Sequence, residues 1–283
     1  MNVQKIGIVG AGTMGNGIAQ AFAVAGFDVV LTDVAEKALQ QALNTISGSL
    51  DRLIKKEKAT PEQKAAALAK IAVGTDLGLL CDCGLIIEAA TENEVVKRKL
   101  FAQLDEIAQP QAILASNTST LSITSLAAAT KRPAQVIGMH FFNPVPMMAL
   151  VEVTSGLQTS AATCEEIESI ARQLGKTPVK LKNSPGFVVN RLLVPMINEA
   201  IFTLADGVAT ATDIDEAMKL GANHPIGPLA LADLIGLDVT LAIMQVLYGS
   251  FNDSKYRAAP LLVEMVEAGY LGRKSGRGFF SYN

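Results

Sequence analysis

The sequence predicts an α/β domain built on a mostly parallel sheet, followed by an all-α domain. Over the first 182 residues short β-rich runs alternate with longer helical patterns, which is how a parallel sheet flanked by helices reads. Candidate strands fall at 5–9, 28–32, 71–74, 85–88, 112–115, 136–139, 149–154 and 178–181, and several are unbroken apolar runs, as strands covered on both faces are. Around the segment NSPG at 183–186 the strand signals stop. Helical patterns at 187–205, 213–220, 228–248 and 259–268 take over. The expected domains are therefore 1–184 and 185–283.

Within the first domain, residues 35–70 are rich in Ala, Leu, Gln and Lys and are interrupted by TPEQ at 60–63. Thr60 and Gln63 fit a capping box around a proline at the first helical position. This predicts two antiparallel helices, a protrusion longer than an ordinary crossover needs. Pro195 lies inside the first helix of the second domain, where a kink is expected.

The bulk properties exclude several function classes. A net charge of −3 over 283 residues offers no basic field for nucleic acid or anionic lipid. The most apolar stretch, 227–248, carries Asp233 and Asp238, which argues for a buried helix or a subunit contact rather than a membrane span. The start MNVQKIGIVG runs directly into a strand pattern without the features of a secretory leader. A cytoplasmic protein is expected. Cys81, Cys83 and Cys164 are odd in number and unsuited to a disulfide framework or a zinc pair, and with two histidines no metal is expected.

The strongest chemical motif is GAGTMG at 10–15, set between the first strand and the helix that follows. Gly10 and Gly12 allow a tight turn and close backbone approach, Gly15 allows the helix to pack, and Thr13 and Met14 lie between them. Backbone N–H groups at a helix start favour a pyrophosphate. Alone the motif is weak. Asp33, at the end of the second strand, strengthens it, since a Rossmann-type fold uses a carboxylate there for the adenosine ribose. The surroundings of Asp33 are acidic rather than basic, which favours NAD over NADP; FAD uses the same fold but usually in longer chains.

His140 follows the predicted strand 136–139, and Glu152 lies in the next strand pattern. Neighbouring strand ends would bring them together, giving an imidazole oriented by a carboxylate and able to exchange a proton with an alcohol or carbonyl. On position alone His140 reads more readily as a structural residue. The polar run SNTST at 116–120 follows an apolar strand at the ligand-binding end of the sheet, where it reads as site or as capping turn. Asn190, early in a helix that it does not favour, is similarly open.

Together with these residues, the stretches EAATENEVVK, ILASNTSTLSI, RPAQVIGMHFFNPVP, NSPGFVVNRLL, GANHPIGPLALADLIGLD and LGRKSGRGFF carry a resemblance over essentially the whole chain. The sequence resembles the 3-hydroxyacyl-CoA dehydrogenases, and among them the short bacterial forms acting on 3-hydroxybutyryl-CoA. The resemblance implies His140 as general acid/base oriented by Glu152, with Ser119 and Asn190 around the reacting oxygen. It implies Asn143 near the nicotinamide, and Glu92, Lys97 and Lys274 as cofactor-side residues.

The helical pair is implied to cover the CoA, with Arg52 and Lys56, four residues apart, meeting its phosphates. A solvated basic face is the plainer reading of those two. The implied reaction is reversible NAD-dependent oxidation of a short 3-hydroxyacyl-CoA, and the apolar C-terminal helices suggest a homodimer. Two rivals remain, a dehydrogenase of free β-hydroxyacids, which would use a lysine in place of the His/Glu pair, and a non-catalytic NADH-binding protein.

Overall fold

Residues 3–282 are described by the computed structural model, and they fall into two units divided between Ser184 and Pro185. The first unit opens with β1 (Lys5–Val9), α1 (Thr13–Val24) and β2 (Asp28–Thr32). The predicted helical pair follows as α2 (Glu36–Lys55) and α3 (Pro61–Ala69). Between them Thr60 Oγ1 accepts from Gln63 N at 3.2 Å and Gln63 Oε1 accepts from Thr60 N at 2.9 Å, so the capping box read from TPEQ is present. Leu39, Ala42, Ile46 and Leu50 repeat at helical spacing along α2 and bury that face in the core of the unit.

The chain continues through β3 (Ile71–Gly74), β4 (Leu85–Glu88), α4 (Glu94–Ile107), β5 (Ile113–Ser116), α5 (Ile123–Ala127) and β6 (Val136–Phe141). β7 (Leu150–Ser155), α6 (Ala161–Gln173) and β8 (Thr177–Lys182) complete the unit. The strands form one sheet in the order β3-β2-β1-β4-β5-β6-β7-β8. All neighbours are parallel except β6 and β7, so the last two strands run against the rest. The chain leaves β1 in one direction along the sheet and returns to its other side at β4, which creates a switch point where the carboxyl ends of the strands leave a crevice.

The second unit consists of α7 (Val189–Ala205), α8 (Ala211–Gly221), α9 (Pro228–Ile235), α10 (Leu237–Phe251) and α11 (Pro260–Glu267). Pro195 stands inside α7. The long helix predicted over 228–248 is instead two helices bent by 97° at Gly236, which adopts φ 106°. The apolar pattern runs on across the break; only the backbone angle stops the helix, and glycine makes that angle accessible. No single described helix is long and apolar enough to cross a membrane, although α9 and α10 together reach that length and composition.

Asp233, the charge inside that apolar stretch, is 1% exposed and fully engaged. Its carboxylate accepts from Phe279 N at 3.0 Å, Phe280 N at 2.9 Å and the Tyr282 hydroxyl at 3.0 Å, pinning the end of the chain against α9. Asp233→Ala is expected to strand these donors and to lower unfolding free energy by about 2–4 kcal/mol. Denaturant melts of both proteins check this, and superimposable curves would remove the role assigned to Asp233.

Candidate active site

β1 delivers the chain to Gly10, which turns with φ 103°; a Cβ there would lie 2.7 Å from the carbonyl oxygen of Ala89. Gly15 meets the same turn from the helix side, where a Cβ would sit 1.7 Å from the Gly10 oxygen. Both glycines are required by the protein's own packing. Gly12 is different, because nothing lies within 4 Å of its Cβ position and its φ is −67°. The protein's own packing therefore does not require a glycine there. Gly12 is also the N-cap of α1, with no side-chain cap and no acid in the first turn, so the first N–H groups of the helix can serve an anion.

These residues open onto a cleft of about 730 Å³ at the switch point, lined among others by Thr13, Met14, Asp33, Val34 and Lys99. Asp33 fastens the glycine loop as well as facing the cleft. Its Oδ2 accepts from Ala11 N at 2.8 Å and its Oδ1 from Ala35 N at 2.9 Å. The donor set suits a dinucleotide, with a helix start for the pyrophosphate and a carboxylate at the end of β2 for ribose hydroxyls.

A second cluster occupies the carboxyl ends of β4 and β5. Glu88, the last residue of β4, is completely buried and accepts from Lys97 Nζ at 2.6 Å, Ser116 Oγ at 2.7 Å and Ala90 N at 2.7 Å. Lys97, in the first turn of α4, is 1% exposed and also lies 3.4 Å from Glu92. Glu92 Oε1 in turn accepts from the Thr118 hydroxyl at 2.5 Å, Ser119 N at 2.8 Å, and both the N and hydroxyl of Thr120 at 3.1 Å. Partial burial pushes the Glu92 carboxyl up, but Lys97 and the hydrogen bonds from Thr118, Ser119 and Thr120 outweigh it, and the pKa is lowered. Lys97, expected on the cofactor side, has its ammonium held between two carboxylates. Lys99, two residues on, is the lysine that lines the cleft.

Ser119 connects this cluster to His140. The Ser119 hydroxyl lies 3.1 Å from His140 Nε2, and Glu152 Oε2 lies 2.7 Å from His140 Nδ1. His140 is 4% and Glu152 1% exposed. His140 is not beyond the strand, as expected, but within β6, directly opposite Glu152 of antiparallel β7. Opposed residues of an antiparallel pair share a face at about 5 Å between Cβ atoms, closer than neighbouring strand ends would bring them. The strand extends further than its apolar pattern because its ladder with β7 runs on to Phe141 opposite Val151; Phe141 N also donates to Asn117 Oδ1 at 2.8 Å. With Glu152 ionised, Nδ1 carries the proton and Nε2 accepts from a hydroxyl.

A groove of about 460 Å³ runs between α1, α2 and the 143–146 segment; Arg52 and Asn143 line it, as do Gln20, Gln41, Thr45 and Ser49. Lys56 does not line it. It is the C-cap of α2, past the last helical residue. Ser49 and Gln20 were missed. Ser49 was recoverable, standing three residues before Arg52 on α2 and so on the same face. Asn190 is the second residue of α7 in the helical unit. Lys274, expected on the cofactor side, pairs there with Asp238 at 2.5 Å and ties the chain's last turns to the start of α10. Among the described residues no three His, Cys, Asp or Glu side chains group as a metal site.

Residues 5–184 match the family model described as 3-hydroxyacyl-CoA dehydrogenase, NAD binding domain, and residues 186–282 match its C-terminal domain. The chain belongs to the 3-hydroxyacyl-CoA dehydrogenase family. Its first unit matches the family's NAD binding domain, and NAD is its cofactor. The chain is similar to the crystal structure of an (S)-3-hydroxybutyryl-CoA dehydrogenase from Ralstonia eutropha, with 58% identity, TM-score 0.97 and complete coverage of both chains. It is 54% identical over 280 residues to a 3-hydroxybutyryl-CoA dehydrogenase of Bradyrhizobium diazoefficiens, covering 99% of this chain and 96% of the other. A 3-hydroxybutyryl-CoA dehydrogenase of Clostridioides difficile is 53% identical over 279 residues, covering 99% of each.

The glycine geometry separates two variants. Gly12→Ala is expected to fold normally and to bind NADH at least tenfold more weakly in a fluorescence titration. Gly15→Ala is expected to yield no stable protein. A Gly12→Ala protein with unchanged NADH affinity would refute the ligand-side role of Gly12.

Glu92 gives a pH signature. A carboxyl held below its ordinary value of 4.5 contributes stability that is complete above that pH and lost as pH falls through the lower native value. Glu92→Gln is therefore expected to melt below the parent at pH 7, with the gap closing in acid below about pH 4.5. A gap that stays constant across that range would show that the Glu92 charge contributes nothing.

Proposed function

We propose that this chain catalyses the reversible NAD(H)-dependent oxidation of short (S)-3-hydroxyacyl-CoA thioesters, 3-hydroxybutyryl-CoA foremost, to the 3-ketoacyl-CoA. The observation that carries this reading is His140 held at both ring nitrogens, by buried Glu152 on Nδ1 and by Ser119 on Nε2. The similarity to relatives named for 3-hydroxybutyryl-CoA supports the choice of substrate.

Bound NAD(H) supplies the hydride chemistry at C3. In the oxidising direction neutral His140 takes the hydroxyl proton at Nε2, and Glu152 stabilises the imidazolium that forms. In the reducing direction the imidazolium returns that proton to the carbonyl oxygen. The Ser119 hydroxyl, fixed by the hydrogen bond of its backbone N–H to Glu92, donates to the oxygen as charge develops there. Asn190, and the cofactor-side roles of Asn143 and Lys274, enter on the family resemblance. Arg52 on the groove supplies a cation for CoA phosphate.

We further propose a cytoplasmic homodimer. The free thiols of Cys81, Cys83 and Cys164 suit a reducing compartment. Leu192, Leu220, Leu234 and Tyr248 expose apolar surface on the helical unit, which suits a subunit contact.

His140→Gln is expected to lower turnover by about 10²- to 10⁴-fold while NADH still binds. Following NADH absorbance with acetoacetyl-CoA and with free acetoacetate tests the substrate class. Equal rates on the two compounds would replace this reading with that of a free β-hydroxyacid dehydrogenase.

A further inference from the structure

Gln20, on α1, is 2% exposed, and its Nε2 has no hydrogen-bond partner among the described residues. Buried polar atoms without partners are uncommon in native proteins and cost stability, so one that persists calls for a reason. Gln20 lines the groove between α1, α2 and the 143–146 segment. Its polar neighbours there are already engaged: Asn16 Nδ2 donates to Gly12 O at 2.7 Å, and Thr45 Oγ1 to Gln41 O at 2.8 Å. Gly17 lets Val145 close over the groove, since a Cβ would stand 3.0 Å from it.

The chemistry of the lining indicates what Gln20 meets. Among the described residues Arg52 is the one charged residue on the groove, while Asn16, Gln20, Gln41, Thr45 and Ser49 are neutral hydrogen-bonding groups. A cation at one place and neutral donors and acceptors elsewhere match a ligand with phosphates at one end and secondary amides along its length. The pantetheine arm of CoA is such a chain. We propose that Gln20 is a substrate-binding residue whose Nε2 donates to an amide carbonyl of the pantetheine arm. This rests on the acyl-CoA reading given above.

The test uses three substrates that carry the same ketone: acetoacetyl-CoA, acetoacetyl-pantetheine, which lacks the phosphates, and S-ethyl acetothioacetate, which lacks both amides. Gln20→Met keeps the length of the side chain and removes the amide. It is expected to lower kcat/KM about three- to tenfold on the first two substrates, through KM, and to match the parent on the third. Because it removes an unsatisfied buried group, its melting temperature is expected to be no lower than the parent's. Gln20→Leu, of different shape, is expected to give the same pattern.

Unchanged kcat/KM on acetoacetyl-pantetheine would overturn the proposal, as would an equal loss on all three substrates. Failure of the acyl-CoA reading itself would appear in the parent enzyme, as equal efficiency on acetoacetyl-CoA and S-ethyl acetothioacetate.

Discussion

The active-site geometry depends on one buried cation. Lys97 is sealed between Glu88 and Glu92, and this arrangement joins the end of β4, the first turn of α4 and the loop after β5. Burying an ammonium and a carboxylate carries a desolvation penalty of several kcal/mol per ion, repaid only when pairing is close and the remaining lone pairs are satisfied. Here they are, through Ser116 and Ala90 on Glu88 and through the 118–120 backbone and hydroxyls on Glu92. Removing the cation would leave the fully buried Glu88 carboxylate without its counter-charge. The pair gains little net stability over an apolar substitute; what it fixes is position, and the group positioned at its far end is the Ser119 hydroxyl beside His140.

The antiparallel entry of β7 supplies the other half of the site. A parallel strand in that place would give a slanted pairing with a different register. The observed ladder sets His140 against Glu152, and because side chains alternate across a strand, a slip of one residue would send the carboxylate to the other face of the sheet. Register is therefore part of the catalytic geometry. Val151 and Val153, fully buried on either side of Glu152, make that register costly to lose.

Much of this was legible in the sequence, and what was not has identifiable physical causes. The glycine loop, Asp33, the capping box at Thr60 and the change to helices near residue 184 are local signals, encoded in consecutive residues. His140 and Glu152 were visible as residue types, but the residues alone favoured a structural histidine, and the family resemblance turned the reading to catalysis. The bend at Gly236 escaped because hydrophobic periodicity does not register a single positive φ. The burial of Lys97 was not legible because a lysine in an exposed-looking helical run gives no sign of it. Its environment comes from Glu88 and Glu92, nine and five positions away, which only the fold turns toward it.

The polar groups of the first unit divide by whether the protein itself satisfies them. Asp33, Glu88, Glu92 and Lys97 are engaged with backbone or with one another, and they hold the frame. The opening N–H groups of α1 lie past the reach of intrahelical bonding, and the Gln20 amide nitrogen is buried without a partner. Donors fixed in place before a ligand arrives need no reorganisation to meet it, and so favour binding and charge stabilisation more than mobile ones do. The satisfied network supplies that rigidity, since a donor adjacent to a loose frame would find an internal partner. The same distinction separates the glycines: Gly10 and Gly15 are demanded by contacts within the protein, whereas Gly12 has open space at its Cβ position.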